Sequence, residues 1–286
     1  MEAQGASGSR ARPGSWIWVT AGAVVATAAT IGAVSVVTGL PRAGGAGPRP
    51  PDDHETTTPQ LVTVYFVGDT GAGPRLFAER REFGGRADVL RWSLSNVVDG
   101  NAQDSDYFSR WPKGAAVVAA RLRHGVLSVE LHGPVVRRPA GLSRADAEVA
   151  VQQVVRTAQD VSGWRGPVTF RHDGARAATV LGVPTRGPVD RGPDDATLAP
   201  VSIGSPADMT AVTSPFPVTG RVSSRTVRWQ LLQGGAVVRE GSAAGRECCT
   251  SSPYRFVVRA PVGTYTLVVR DDERRVSSDS KQIRVG

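Results

Sequence analysis

Histidine is the side chain best suited to proton transfer near neutral pH, so the histidines are the first candidates for chemistry. The chain has four, His54, His124, His132 and His172, and two of them, His124 and His172, lie beside predicted turns. A histidine-activated serine needs a strained elbow, but no G-x-S-x-G occurs. H-E-x-x-H and G-x-x-x-x-G-K-[ST] are also missing. The sequence therefore predicts no catalytic residue and no enzyme activity.

Two other kinds of segment could hold a ligand. Gly68–Gly73 is glycine-rich like a phosphate loop, but Pro74 and a strand-like run follow it instead of a helix N-terminus. We therefore expect a hairpin turn there. The acidic groups Asp194-Asp195 and Asp271–Glu273 lack the ligand spacing of a calcium loop. We expect no metal and no cofactor.

The only two cysteines, Cys248 and Cys249, are adjacent. Their Cα atoms are about 3.8 Å apart, below the roughly 4.4–6.8 Å that disulfides prefer. Outside the cytoplasm, the options are a strained vicinal disulfide, two free thiols or pairing between molecules. Zinc binding would need a different spacing and further ligands.

A short aromatic run precedes the middle of the chain and could contact a partner. Aromatic residues and arginine are enriched at interface anchors, although such a run can also fold onto its own core. The candidate interface residues are Tyr107, Phe108, Arg110 and Trp111. The neighbouring Asp104 and Asp106 indicate a loop rather than a catalytic pair.

The segment from Pro13 to Pro41 has no charged side chain and is apolar from Trp16 to Leu40. About 20 apolar residues can cross a bilayer, whereas the apolar region of a signal peptide usually has about 7–15. Arg10 and Arg12 favour a cytoplasmic N-terminus. We predict an uncleaved single-pass anchor in the cell membrane, with the rest of the chain extracytoplasmic. Cleavage near Ala26–Ala28 is the alternative.

The composition is that of a globular protein, with 40% hydrophobic and 21% charged residues among 286. The net charge is +8, and lysine occurs only at Lys113 and Lys281, so arginine carries nearly all the positive charge. No dense basic cluster occurs, and we therefore expect no nucleic-acid partner. The arginines indicate general surface charge or attraction to an anionic polymer.

Composition also divides the chain, because two segments rich in glycine, proline and charge separate regions of domain size. The predicted parts are a cytoplasmic N-terminus (1–14), a transmembrane anchor (15–40), a linker (41–59), an α+β domain (60–184), a second linker (185–197) and a β-sandwich (198–286).

The α+β domain is predicted from the order of its periodic segments, which reads β-β-α-β-β-α-β. Ser143 with Asp146 three residues later predicts the start of its second helix. We expect helices on one face of a mixed sheet. The last region shows seven short strands separated by turns, which indicates an immunoglobulin-like sandwich with Trp229 in its core and Tyr265 at a corner.

The order of several short motifs gives a resemblance that covers residues 60 to 286. The first domain resembles the GerMN domain of sporulation and spore germination proteins, through Val62–Phe66, Trp111–Gly114, Gly125–Leu131, Leu142-Ser143, Val151–Ala158 and His172–Gly174. The second resembles the immunoglobulin-like module that follows it in such proteins, through Leu198–Ile203, Ser205-Pro206, Pro217–Gly220, Glu247–Thr250 and Gly263–Leu267.

This resemblance implies an envelope protein that associates with other proteins rather than an enzyme. GerMN domains resemble ring-building modules of secretion and sporulation channels, which implies self-association or an envelope partner. The lipoproteins that carry such domains have an N-terminal lipobox cysteine, which this sequence lacks. We expect a noncatalytic, membrane-anchored binding or assembly protein. A module that binds peptidoglycan or an anionic cell-wall polymer is the alternative.

Overall fold

The structure is a computed structural model, and it describes residues 59–85, 88–246, 251–273 and 277–286. The predicted anchor, the first linker up to residue 58, His54 and the Cys248-Cys249 pair lie outside these ranges. Among the described residues, none of the helices has both the length and the apolar character needed to cross a bilayer.

The first part is an α+β domain whose element order confirms the prediction. Its main elements are β1 (Gln60–Thr70), β2 (Gly73–Phe83), α1 (Val89–Asp99), β3 (Ala116–Arg123), β4 (Val126–His132), α2 (Arg144–Ser162) and β5 (Val168–His172). Three two-residue strands that the sequence did not indicate follow: β6 (Ala175–Arg176), β7 (Thr179–Val180) and β8 (Val183–Pro184).

The strands of this domain form separate sheets instead of the single sheet expected. The order β3-β4-β5-β6 makes a mixed sheet, in which β4 and β5 are parallel, while β1 and β2 form their own hairpin. The reason is that β1 is buried on both faces: Phe66 enters the main core, and Tyr65 and Val67 join a second cluster with Val149 of α2. Helix α2 thus contacts both β1 and β5.

Local sequence explains the ends of the two long helices. The Ser143 side chain accepts a hydrogen bond from the Asp146 amide, which confirms the predicted start of α2. Asp88 caps α1 in the same way, and Gly100 and Gly163 end the helices in the left-handed conformation.

The last part is a sandwich of two sheets, reached through the single-turn α3 (Asp194–Thr197). Its seven predicted strands are present, with one addition, β10. The strands are β9 (Val201–Ser205), β10 (Thr210–Val212), β11 (Phe216–Val222), β12 (Thr226–Gln233), β13 (Ala236–Ala244), β14 (Ser252–Val258), β15 (Gly263–Asp271) and β16 (Ser278–Val285). The sheets have the orders β10-β16-β15-β12-β13 and β14-β11-β9.

Trp229 and Tyr265 both help to hold the sandwich, although Trp229 is only partly buried and does not lie within the core as predicted. Trp229 packs against the core and stacks on Phe256 of the other sheet, with ring centroids 5.1 Å apart. The Tyr265 hydroxyl donates to the Pro261 carbonyl at 3.1 Å and so pins the turn before β15. At Gly220, strands β9 and β11 approach too closely for a side chain, because a Cβ would lie 2.0 Å from the Ser202 carbonyl oxygen.

Candidate functional site at the domain junction

The aromatic run forms the loop between α1 and β3, and the structure buries two of its four candidate residues. Tyr107 and Trp111 are buried, whereas Phe108 and Arg110 are half-exposed. Phe108 pairs its backbone with Val67, and its ring lies 4.2 Å from the Arg110 guanidinium carbon. Only Phe108 and Arg110 therefore retain surface for an outside partner, and their role in such a contact stays a prediction.

Arg110 is held in place by two acidic side chains from different elements. Its guanidinium lies 3.0 Å from Asp146 at the start of α2 and 3.3 Å from Asp69 at the end of β1. Together with the stacked Phe108 ring, these contacts give Arg110 a fixed position on the surface.

Tyr107 faces the sandwich, where it joins a buried polar cluster that we call the junction. The junction consists of Asp104 and Tyr107 from the α1–β3 loop and Asp279 and Lys281 from β16. The Tyr107 hydroxyl donates to Asp279 at 2.8 Å, and the Lys281 ammonium donates to that hydroxyl at 2.7 Å. Lys281 also donates to Asp104 and, at 3.1 Å, to Asp279.

The groups around the junction satisfy the remaining hydrogen bonds of its carboxylates. Asp279 accepts from the Ile203 amide, and Asp104 accepts from the Asp106 amide at 2.8 Å. Buried Glu79 on β2 holds the loop itself by accepting from the Asp104 amide at 3.0 Å. At the rim, the Ser280 hydroxyl donates to Asp106 at 2.7 Å. The α+β domain and the sandwich are therefore joined by a closed polar network.

Burial controls the charges within the junction. Removal from water raises the pKa of the Asp104 carboxyl to about 6, although Lys281 opposes this shift. Burial also raises the pKa of Asp279. Burial alone would lower the pKa of Lys281, but Asp279 and Asp104 outweigh it and raise that pKa above its ordinary value. One ammonium thus faces two carboxyl groups, of which Asp104 can take up a proton at mildly acidic pH.

The raised pKa of Asp104 predicts that the protein becomes more stable as the pH falls. The folded state binds a proton to Asp104 near pH 6, whereas the unfolded state does so only near 3.8. Stability is therefore gained below about pH 6 and lost as the pH rises through this value. We expect the free energy of unfolding to increase by about 1–2 kcal/mol between about pH 7.5 and 5. Urea denaturation across this range measures the change.

Asp104→Asn is the control for this pH dependence, because the amide keeps the shape of the side chain and does not titrate. Lys281, Tyr107, Asp279, Asp106 and Glu79 still face the site in this variant. A slope unchanged from that of the wild type would contradict the assignment of the pH dependence to Asp104.

A second buried cluster ties the connecting segment to α2. Arg156 is only 1% exposed, and its guanidinium donates to the Gly192 carbonyl at 2.6 Å and to the Thr197 hydroxyl. It also pairs with Asp194 at 2.8 Å. One helical turn earlier, Gln152 donates to the Asp190 carbonyl at 3.0 Å and accepts from the Gly192 amide. The segment predicted as the second linker is thus fixed along one face of α2.

One turn further along α2, Asp160 continues this polar face. It accepts a hydrogen bond from the Tyr65 hydroxyl at 2.6 Å and pairs with Arg191 at 3.0 Å. Residues 152, 156 and 160 are spaced by four, so they share one side of the helix. Together they hold the segment from 190 to 197 between the two domains.

Beside this segment lies a groove of about 1050 Å³, formed by both domains and the connection between them. Seven arginines and two aspartates line it, so its charge is strongly positive. Asp160 and Asp194 are already paired with arginine. The arginines are Arg80, Arg156 and Arg165 from the first domain, Arg191 from the connection, and Arg221, Arg246 and Arg255 from the sandwich.

Two of the histidines, His132 and His172, make local contacts. His132 lies 2.8 Å from Asp173, and His172 lies 3.1 Å from the Gly133 carbonyl, both around the turn after β5. The Gly68–Gly73 segment forms the end of a hairpin, as expected, because β1 and β2 pair up to Thr70 and Gly73, with Gly71 and Ala72 as the turn. Among the described residues, no cluster of histidine, cysteine, aspartate or glutamate could hold a metal ion.

The junction is the functional feature that sequence reasoning missed. The strand pattern in the sequence is clear only from Gln282 onwards, whereas β16 begins at Ser278. Extending the two-residue alternation backwards from the core residue Ile283 places Lys281 and Asp279 on the buried face. A lysine and an aspartate on the core side of a strand are the signal that could have revealed a buried ion pair.

The comparison with family models identifies the first domain. Residues 63–178 match the Germane family, described as sporulation and spore germination. This match confirms the resemblance of the first domain to the GerMN type. The search of curated proteins gave no match.

Solved structures of the same kind of domain are also similar to this chain. The tandem GerMN domains of the sporulation protein GerM from Bacillus subtilis are 11% identical, with a TM-score of 0.39 over 52% of this chain and 50% of theirs. The first GerMN domain of that protein is 13% identical, with a TM-score of 0.35 over 46% of this chain and 95% of its own. The chain thus spans about half the length of the tandem structure it matches.

Proposed function

We propose that this chain is a noncatalytic docking protein of the bacterial cell envelope. The premise is that residues 63–178 form a GerMN-type domain of the sporulation and spore germination family. An N-terminal single-pass anchor would hold it at the membrane, and the linker to residue 59 would give it reach. Outside the membrane, the α+β domain and an immunoglobulin-like sandwich would present one composite surface to a second copy or to an envelope protein.

The junction is the observation that carries this proposal. Lys281 is 4% exposed and contacts two side chains of the α+β domain, Asp104 and Tyr107. A buried charge is tolerated only where its partners stay in place, so such a cluster favours one relative orientation of the two domains. Fixed orientation suits a protein that docks, because less conformational freedom is lost on binding.

The contacts that the polar side chains make within the protein support a noncatalytic role. His132 contacts Asp173, and His172 contacts a backbone carbonyl, both around a surface turn. Among the described residues, the two buried cationic side chains, Arg156 and Lys281, connect parts of the chain to each other. These contacts fit a structural role for both side chains.

The surface around Phe108 and Arg110 is our candidate for the docking face of the GerMN-type domain. Arg110 is fixed by Asp69 and Asp146, and the Phe108 ring lies against it. An aromatic ring beside a positioned arginine is the combination that anchors many interfaces. Since both residues adjoin Tyr107, the docking face is continuous with the junction.

Site-specific photocrosslinking of the full chain in its own membrane tests this proposal. A benzophenone amino acid replaces Phe108, and a matched variant carries it at Val262, which is 79% exposed on the sandwich. We expect light-dependent adducts from position 108 and not from position 262. A ladder of multiples of the chain identifies self-association, and a single foreign envelope protein identifies a partner.

Two results would overturn the proposal. Recovery of the monomer alone from position 108 would remove the docking face. Equal adducts from both positions would show that contacts at Phe108 are no more specific than those at any exposed site.

A further inference from the structure

The arginine-lined groove between the domains carries more positive charge than its two aspartates neutralise. Arg156 and Arg191 hold the connecting segment, and Arg221 donates to the Ser251 carbonyl. Five of the groove's arginines are exposed. Arg165 lies 3.8 Å from Asp160, and Arg221 already donates to a carbonyl, whereas the other three have no acidic partner among the described residues. These are Arg80, Arg246 and Arg255.

We infer that this groove binds an extended anionic polymer whose charges are phosphodiesters. Each guanidinium presents a planar fork of donors that matches a phosphate, and several of them line one continuous channel. This inference goes beyond the docking role, and it gives a site and a ligand class to the alternative of binding an anionic cell-wall polymer.

The size and placement of the groove favour a polymer over a single ion or a membrane surface. About 1050 Å³ is at the upper end of the range for ligand pockets and is far larger than one phosphate requires. Arg80 comes from β2, Arg246 from the segment after β13 and Arg255 from β14, so these three arginines lie on both domains. A concave channel with positive charge on both walls can enclose a polymer, whereas a flat bilayer would contact only the rims of the channel.

The aromatic residues of the groove argue against nucleic acid. Single-stranded nucleic acids stack their bases on exposed aromatic rings in addition to their charge contacts. Within the described part of the chain, the only aromatic residues that line the groove are Tyr65 and Tyr254, and both are buried. Their hydroxyls are already used, by Asp160 and by the Ser202 carbonyl. The groove therefore offers charge without a stacking platform.

Binding of synthetic poly(glycerol phosphate) to the purified full chain tests the inference. The groove variant carries Arg80→Gln, Arg246→Gln and Arg255→Gln. The matched control carries Arg121→Gln, Arg123→Gln and Arg284→Gln, which removes the same charge from exposed positions outside the groove. Single-stranded DNA and vesicles that contain anionic lipid serve as competing ligands.

We expect the wild type and the control to bind the polymer with similar affinity, and the groove variant to bind at least about ten-fold more weakly. Binding of the wild type should fall steeply between about 50 and about 300 mM salt. Equal losses in the two variants, or no binding by the wild type, would overturn the inference. Tighter binding of DNA or vesicles than of the polymer would overturn the ligand class.

Failure of this inference can be distinguished from failure of the docking role. The groove variant leaves Phe108 and Arg110 unchanged, and it can be crosslinked in the membrane from position 108. Adducts from that position together with a groove that binds no polymer would leave the docking role standing and remove only the ligand.

Discussion

Lys281→Met is expected to lower the free energy of unfolding by about 3–5 kcal/mol, because it removes one partner from a buried ionic cluster. The methionine keeps the apolar stem but leaves Asp104 and Asp279 facing each other without a cation. It also removes the hydrogen bond to Tyr107. Urea denaturation of the full chain near pH 7.5, where Asp104 is mostly ionised, measures the loss.

The chain provides a matched control in its only other lysine. Lys113 is exposed in the loop before β3, so Lys113→Met should change the stability by less than about 0.5 kcal/mol. Asp104→Asn in the Lys281→Met background should recover part of the loss, because one uncompensated charge disappears. A loss below about 1 kcal/mol for Lys281→Met would show that the junction contributes little to stability.

Arg156→Met is expected to lower the free energy of unfolding by a similar amount, about 3–5 kcal/mol, because it removes a second set of buried contacts. The Gly192 carbonyl and the Thr197 hydroxyl lose their buried donor, and Asp194 loses its ion-pair partner. The connecting segment should then leave the face of α2. Limited trypsin digestion checks this, because cleavage after Arg186 or Arg191 should become at least about ten-fold faster.

Arg144→Met on the same helix is the control for this variant. Arg144 is 81% exposed, and its one ion-pair partner among the described residues is Glu148 one turn away, so the variant should keep nearly the stability of the wild type. Cleavage of the connecting segment at the wild-type rate in Arg156→Met would contradict the assigned role of Arg156.

The sequence predicted those features that depend on short-range patterns. Ser143 and Asp146 identify the start of α2 because a helix cap is a local interaction. Alternation identified the seven sandwich strands, and the turn predicted beside His124 is the hairpin turn between β3 and β4. The GerMN motifs identified the first domain, which the family match confirms.

The candidate sites could not be predicted because they depend on residues far apart in the chain. Tyr107 and Asp279 are 172 positions apart, and the sequence gives no sign that the α1–β3 loop meets β16. Arg156 lies in the amphipathic helix α2, where an arginine would normally be expected on the exposed side. Its partners are in a segment whose composition is that of a loose linker.

A distance measurement between the two domains tests the central claim that the junction makes them one body. Spin labels are attached to the full chain through keto amino acids at Val118 and Val262, which are both exposed and leave the cysteines untouched. Pulsed electron paramagnetic resonance then gives the distribution of distances between them. We predict one narrow distribution for the wild type, and a broad one for Lys281→Met. A broad distribution in the wild type would show that the domains move independently and would contradict the account.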